Sequence, residues 1–234
     1  MAEESRAVES KARRIYDQLL EEYGEPEWKP SRSGFEQLIQ TILSANTNDR
    51  NSGKAFETLK EMFAGDWDAV RIAPLEEIKY AIRVAGMYNQ KAPHIVETLE
   101  ILYSEEGTYS LEHVRDMAPA AAQTYLQRFP GVGHKTASIV LLFSYGMAAF
   151  PVDTHVQRVT QRLGMSGRRA SAEKIKVVWE DMLPAETYFC LHVSLIRHGR
   201  TVCKARTPRC ASCVLQDECD YNARLGDWED TPPD

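Results

Sequence analysis

The stretch from Leu126 to Thr154 limits what this chain can fold into more than any other. It runs Leu-Gln-Arg-Phe-Pro-Gly-Val-Gly-His-Lys-Thr-Ala, passes through an apolar segment, and reaches Phe150-Pro-Val-Asp-Thr154. An apolar helix end, Pro119 to Arg128, enters a turn. Its Gly131-Val132-Gly133 core can take positive φ and expose backbone N–H groups. A second helix is expected from about His134, so the hairpin spans about residues 121–145. Amides at such a helix start favour an anion such as a phosphate. Lys135 falls in the first turn of that helix, and Asp153 follows eighteen residues later. An anion cradle beside an amine and a carboxylate suits chemistry on a nucleic acid backbone.

The rest of the chain reads as helices that position this unit. Ala7 to Tyr23 has Ile15, Leu19 and Leu20 on one face. Phe35 to Ser44 is more fully apolar and belongs to the core. Asn46-Thr47-Asn48-Asp49 is a cap cluster that opens a third helix running through Phe63. Pro74 to Val84, Lys91 to Tyr103, Asp153 to Leu163, Ser171 to Met182 and Thr187 to Arg200 follow, with a short turn of helix at Ser110 to Val114. No alternating strand pattern or fixed repeat is present. The fold class expected is all-α, with an acidic tail through Pro232-Pro233 that is too polar to pack.

The formal net charge of −6 argues against a nucleic acid partner as a whole-chain average. The distribution reverses that argument. From Thr187 to Gln216 there is no acid, while Arg197, Arg200, Lys204, Arg206 and Arg209 all fall there. The acids gather near the ends, so one face is expected to be basic. No run reaches the roughly 18 apolar residues of a membrane helix. Met1-Ala2-Glu3-Glu4-Ser5 is acidic and leads into an amphipathic pattern, unlike a signal peptide. The location expected is therefore cytoplasmic, associated with the nucleoid, without a membrane partner.

Cysteine usage agrees with a reducing compartment. Cys203, Cys210, Cys213 and Cys219 are spaced C-x6-C-x2-C-x5-C within seventeen residues. Four thiolates so close in sequence can close on one metal centre. The segment also holds Lys204, Arg206, Arg209, Asp217 and Glu218, which is too polar for four core cysteines. Spacing alone leaves zinc and an iron–sulfur cluster both open. Cys190, on the apolar face with Phe189, Leu191 and Val193, reads as a buried small hydrophobe.

Taken together, four groups of residues resemble endonuclease III, a DNA glycosylase family. They are Phe129-Pro-Gly-Val-Gly-His-Lys135, Val152-Asp153-Thr-His155-Val-Gln-Arg158, His198-Gly-Arg200, and the four cysteines. Leu43-Ser-Ala-Asn46-Thr-Asn-Asp49 and Gly86-Met87-Tyr88-Asn89-Gln90-Lys91-Ala92 fall where that family has similar runs. The resemblance covers nearly the whole chain in the same order. It implies two helical domains with a DNA cleft between them. Residues 27–147 would form a six-helix barrel carrying the helix-hairpin-helix. Residues 1–26 with 148–234 would form the second domain, closed by a 4Fe–4S cluster on the loop 203–219.

The resemblance also implies the chemistry: excision of oxidised pyrimidines such as thymine glycol from double-stranded DNA, then cleavage of the abasic strand. Lys135 would be the nucleophile and Asp153 its carboxylate partner. Cys203, Cys210, Cys213 and Cys219 would hold the cluster. Gly131, Val132, Gly133, His134, His155, Arg200, Lys204, Arg206 and Arg209 would meet DNA. Asn46 and Met87 stand where the family commonly has Gln and Leu, which fill the space left by an extruded base. Asn is one methylene shorter than Gln and Met is softer than Leu, so opposite-base preference is open. The segment from Ile101 to Arg128 is longer than in the bacterial form. A monomer is expected.

Three other readings stay open. A monofunctional glycosylase for mismatched thymine, uracil or adenine would generally lack a lysine at position 135. An adenine-specific member would carry a further C-terminal domain, and fifteen residues follow Cys219. A non-catalytic DNA-binding iron–sulfur module or a zinc-binding structural protein would not need Lys135 and Asp153.

Overall fold

The computed structural model describes residues 2–30 and 32–223. The acidic C-terminal stretch with Pro232-Pro233 lies outside the described residues. Helices make up the described chain, with no strand among those residues. In order they are α1 (Ala2–Tyr23), α2 (Gly34–Ser44), α3 (Asp49–Met62), α4 (Trp67–Ile72), α5 (Leu75–Ile82) and α6 (Tyr88–Glu106). Then come α7 (Pro119–Gln127), α8 (His134–Tyr145), α9 (Thr154–Arg162), α10 (Ala172–Met182), α11 (Tyr188–Thr201) and α12 (Asp220–Ala223). No described helix is long and apolar enough to cross a membrane.

The chain divides into two compact units, Pro30–Met147 and Met1–Lys29 with Ala148–Asp234. In the first, α2 packs on α8 and α3, and α5 on α6. Leu38, Ile39, Phe56, Leu59, Ile78, Ile95, Leu99 and Leu141 are fully or almost fully buried there. Residues with side-chain oxygens start several of these helices. The Ser33 Oγ accepts from the Glu36 amide at 3.2 Å, and the Asn48 Oδ1 accepts from the Asn51 amide at 2.9 Å. Asn48, rather than Asn46, is therefore the cap of α3. Gly34 lets α2 approach α8, since a Cβ there would run into the Tyr145 phenol.

In the second unit, α11 packs on α9 and α1. Trp179, Leu191, Leu195, Ile15 and Leu19 are fully buried, and the Trp179 indole N–H donates to the Thr160 hydroxyl at 2.9 Å. Cys190 is buried, as its apolar neighbours imply, and its thiol donates to the Pro26 carbonyl at 3.6 Å.

Two helix starts and one whole helix are among the differences from the periodicity reading. Helix α1 begins at Ala2 rather than Ala7, and α6 begins at Tyr88 rather than Lys91. Helix α4 was not expected at all. Its six residues are too few to show a period, and it exists because the Asp66 carboxylate accepts from the Asp68 and Ala69 amides at 2.9 and 3.2 Å.

Candidate active site and cysteine pocket

The hairpin joins α7 to α8. Only one of its two glycines needs a left-handed backbone. Gly131 has φ +73°, and a Cβ there would lie 2.5 Å from the His94 Nδ1. Gly133 has φ −92° and ψ −176°, an extended conformation open to any residue, which corrects the expectation of positive φ through the whole turn. A Cβ on Gly133 would meet nothing within 4 Å. Val132 is buried and pins the turn through its amide, which donates to the Phe129 carbonyl at 3.1 Å. Gln123 on α7 holds the second helix: its Nε2 donates to the His134 carbonyl at 2.9 Å, and its Oε1 accepts from the Ser138 hydroxyl at 3.1 Å.

The first helical bond of α8 runs from the Ala137 amide to the Gly133 carbonyl at 3.0 Å. The amides of His134, Lys135 and Thr136 precede it, and no side chain caps them. His134 and Lys135 are exposed. An exposed amine thus stands at the positive end of a helix beside amides with no acceptor on their own helix.

Asp153 is the N-cap of α9. Its Oδ1 accepts from the His155 and Val156 amides at 2.9 and 2.8 Å. Its Oδ2 makes no hydrogen bond among the described residues, and the side chain is half-buried. The strand of chain before it is anchored twice. The Phe150 amide donates to the Glu180 carboxylate at 2.8 Å, and the His192 Nδ1 donates to the Pro151 carbonyl at 2.9 Å. Neither Glu180 nor His192 has any local sequence signal for this role.

His155 is half-buried on α9. Burial, followed by the charges of Arg158 and Arg200, outweighs Asp153 and lowers its pKa below the ordinary value. The Arg158 guanidinium donates to the His155 Nδ1 at 3.1 Å, so the neutral ring carries its proton on Nε2. Arg158 also donates to the carbonyls of Gly199 and Cys203, at 2.9 and 3.0 Å. Gly199 makes room for this pair, since a Cβ there would lie 3.0 Å from that of His155. The sequence motif gives Arg158 no role of its own; the structure ties it to both His155 and the cysteine segment.

The four cysteines line one pocket, together with Arg162, His198 and Leu215. Among the described residues no three His, Cys, Asp or Glu side chains come within reach of a single metal ion. Four thiols lining one pocket are a donor set that either zinc or an iron–sulfur cluster can use. Arg162 is 2% exposed and organises the rim. It donates to the carbonyls of Lys204 and Ala205 at 2.8 and 2.9 Å and to the Cys203 sulfur at 3.6 Å. Burial pushes the Cys213 thiol up to about 11. The buried His198 bridges the Tyr23 hydroxyl at 2.9 Å and the Cys213 sulfur at 3.5 Å.

Lys204 is half-buried, and Arg200, Arg206 and Arg209 are exposed. Asn46 and Met87 lie in the other unit, both exposed. The Asn46 Nδ2 reaches the Met87 sulfur at 3.4 Å.

A family model described as HhH-GPD superfamily base excision DNA repair protein matches residues 39–184. The chain is 34% identical to endonuclease III of Thermotoga maritima, over 83% of this chain and 86% of that protein. It is also 34% identical to endonuclease III of Sulfolobus acidocaldarius, over 90% of this chain and 96% of that protein. Two solved structures are similar at 30% identity. A non-covalent endonuclease III–DNA complex has a TM-score of 0.81, covering 93% of this chain and 97% of its own. A trapped endonuclease III–DNA covalent intermediate, an estranged-adenine complex, has a TM-score of 0.80, covering 93% and 98%.

Proposed function

As a member of the endonuclease III family within the HhH-GPD superfamily, the chain is a base excision repair DNA glycosylase and AP lyase, and we propose that Lys135 is its nucleophile. The observation that carries the residue assignment is the exposed Lys135 amine in the first turn of α8, beside amides with no cap. The proposed substrate is duplex DNA carrying an oxidised pyrimidine such as thymine glycol, or an abasic site. The damaged nucleotide must leave the stack to be reached.

A lysine in water is protonated, with an ordinary pKa of about 10.4. The nucleophile is the free amine. The amine attacks the sugar C1′. The bond from C1′ to the base breaks, and the base leaves with the electron pair and takes up a proton. The sugar ring opens to a Schiff base on Nζ. Loss of a proton from C2′ then breaks the C3′–O bond, and the 3′ phosphate leaves with its electrons. Asp153 offers Oδ2 to this sequence, as a proton acceptor or as a counter-charge to the cationic sugar, while Oδ1 stays with its two amides.

We assign the unit Pro30–Met147 to the six-helix barrel and the other unit to the cluster domain. The amides of Gly131, Gly133 and His134 would cradle a phosphate, whereas that of Val132 is held by the Phe129 carbonyl and the buried Val132 only shapes the turn. Arg200, Lys204, Arg206 and Arg209 would meet others, His155 would lie against the abasic nucleotide, and Asn46 with Met87 would enter the base stack. Cys203, Cys210, Cys213 and Cys219 would hold a 4Fe–4S cluster. That group, when bound, supplies a rigid tie across the loop that carries Lys204, Arg206 and Arg209. Iron with acid-labile sulfide in the purified protein supports the cluster, whereas zinc in their place refutes it.

The deciding experiment is borohydride trapping on a duplex with one thymine glycol, with wild type beside Lys135→Gln. A covalent complex with wild type alone is expected. Base release without trapping would make the protein monofunctional and remove Lys135 as the nucleophile.

A further inference from the structure

Asn46 and Met87 share more than their contact. With φ of 52° and 49° they are two of the three non-glycine residues with left-handed backbone among the described residues. Side chains rarely adopt that conformation, and where a fold enforces it on exposed residues the enforcement points to use. Met87 is 43% exposed, so neither residue is held there by burial.

Lys91 ties the chain just before both residues. Its side chain is 3% exposed, in the first turns of α6. The Nζ donates to the carbonyls of Leu43 and Ala85, each at 2.8 Å. Leu43 lies three residues before Asn46, and Ala85 two before Met87. Each carbonyl belongs to the last turn of a helical segment, α2 and the 3₁₀ turn Arg83–Ala85. Two negative helix ends take the place of a counter-ion, and no described carboxylate pairs with the amine. Burial lowers the Lys91 pKa below its ordinary value. A buried amine is a poor choice for packing alone, because an apolar side chain would fill the same space without losing hydration.

We propose that Lys91 is a positioning residue for base extrusion: by tying the ends of both loops it presents Asn46 and Met87 to the DNA stack as one rigid pair. The proposal rests on the reading above that those two residues contact DNA. Its physical content is preorganisation. Two loops fixed before binding lose less freedom on entering a duplex than two loops that must be ordered by it. The tie also sets the separation of a polar and an apolar wedge, and hence the discrimination among bases opposite the lesion.

The test is a double-mutant cycle on full-length, cluster-loaded protein, read as single-turnover excision from thymine glycol duplexes. Rates are normalised to the active fraction titrated by borohydride at an abasic site, so partial unfolding cancels. Lys91→Met is expected to slow excision about tenfold in otherwise wild-type protein. It is expected to change the rate by less than about twofold where Asn46→Ala and Met87→Ala are already present, since nothing remains to be positioned. An undiminished effect in that background overturns the proposal and leaves Lys91 a residue of the fold alone. If Asn46→Ala with Met87→Ala is itself silent, the DNA-contact reading fails first and takes the proposal with it. Should Lys91→Met not fold, Lys91→Arg carries the same cycle. It keeps the charge, but its larger head group forces the two carbonyls apart, and the same cancellation is required.

Discussion

Asp153 is asked to do two jobs, and two substitutions separate them. Its Oδ1 takes the amides of His155 and Val156 at 2.9 and 2.8 Å, which fixes the start of α9. That helix carries the buried Val156, Val159 and Arg162. Loss of an N-cap side chain costs about 1–2 kcal/mol, and loss of a negative charge at a helix start costs about 0.3–1 kcal/mol. Asp153→Ala loses both, a total of about 2 kcal/mol. Asp153→Asn keeps the acceptor and loses only the charge, about 0.5 kcal/mol. For a chain of this size about 2–4 °C of melting temperature goes with each kcal/mol. Alanine should therefore lower the midpoint by about 4–8 °C and asparagine by about 1–2 °C. Excision should fall equally in both, by about 100-fold or more, because both lose the carboxylate that the proposed mechanism sets against the sugar. Thermal melts by circular dichroism beside single-turnover excision give both numbers. Excision that survives in Asp153→Asn would reduce Asp153 to a cap, and an Asp153→Ala protein as stable as wild type would refute the cap energetics.

Three further outcomes are expected. Arg206→Ala should weaken binding to all sequences alike and flatten the log–log salt dependence by about one unit, read from titrations at several salt concentrations; an unchanged slope would remove Arg206 from the DNA. The His155 pKa is lowered by burial and by Arg158 and Arg200, against Asp153, so the unfolded chain takes up its proton first as pH falls through 6.5. Stability should fall with pH from there toward the folded pKa, and His155→Gln should flatten that limb in urea titrations; an identical limb would show that the ring charges freely in the native state. Gly131→Ala should destabilise the fold, since it sets a Cβ at φ +73° against His94, whereas Gly133→Ala should keep the melting temperature and lose affinity for duplex. Equal effects of the two alanines on stability would undo that distinction.

The parts of the site legible in the sequence are those whose chemistry is local. A glycine turn followed by a lysine, an aspartate before a helix, and four cysteines within seventeen residues each carry their partners beside them. The all-α fold was legible for a similar reason, because helix periods and cap residues act over a few positions. What the sequence hid are side chains whose partners are backbone carbonyls far along the chain. Lys91 reaches a carbonyl 48 residues away, and Arg162 reaches two more than 40 residues away. A carbonyl is the same at every residue, so nothing in the pattern marks Leu43 or Lys204 as an acceptor. The hairpin glycines show the remaining gap. Backbone geometry and His94 explain Gly131 completely. Neither explains Gly133, whose missing side chain would meet only open space in the protein. That open face leaves room for a group from outside the chain to approach the backbone. Beside amides with no cap, a phosphate of the DNA is the group that the proposed function would place there.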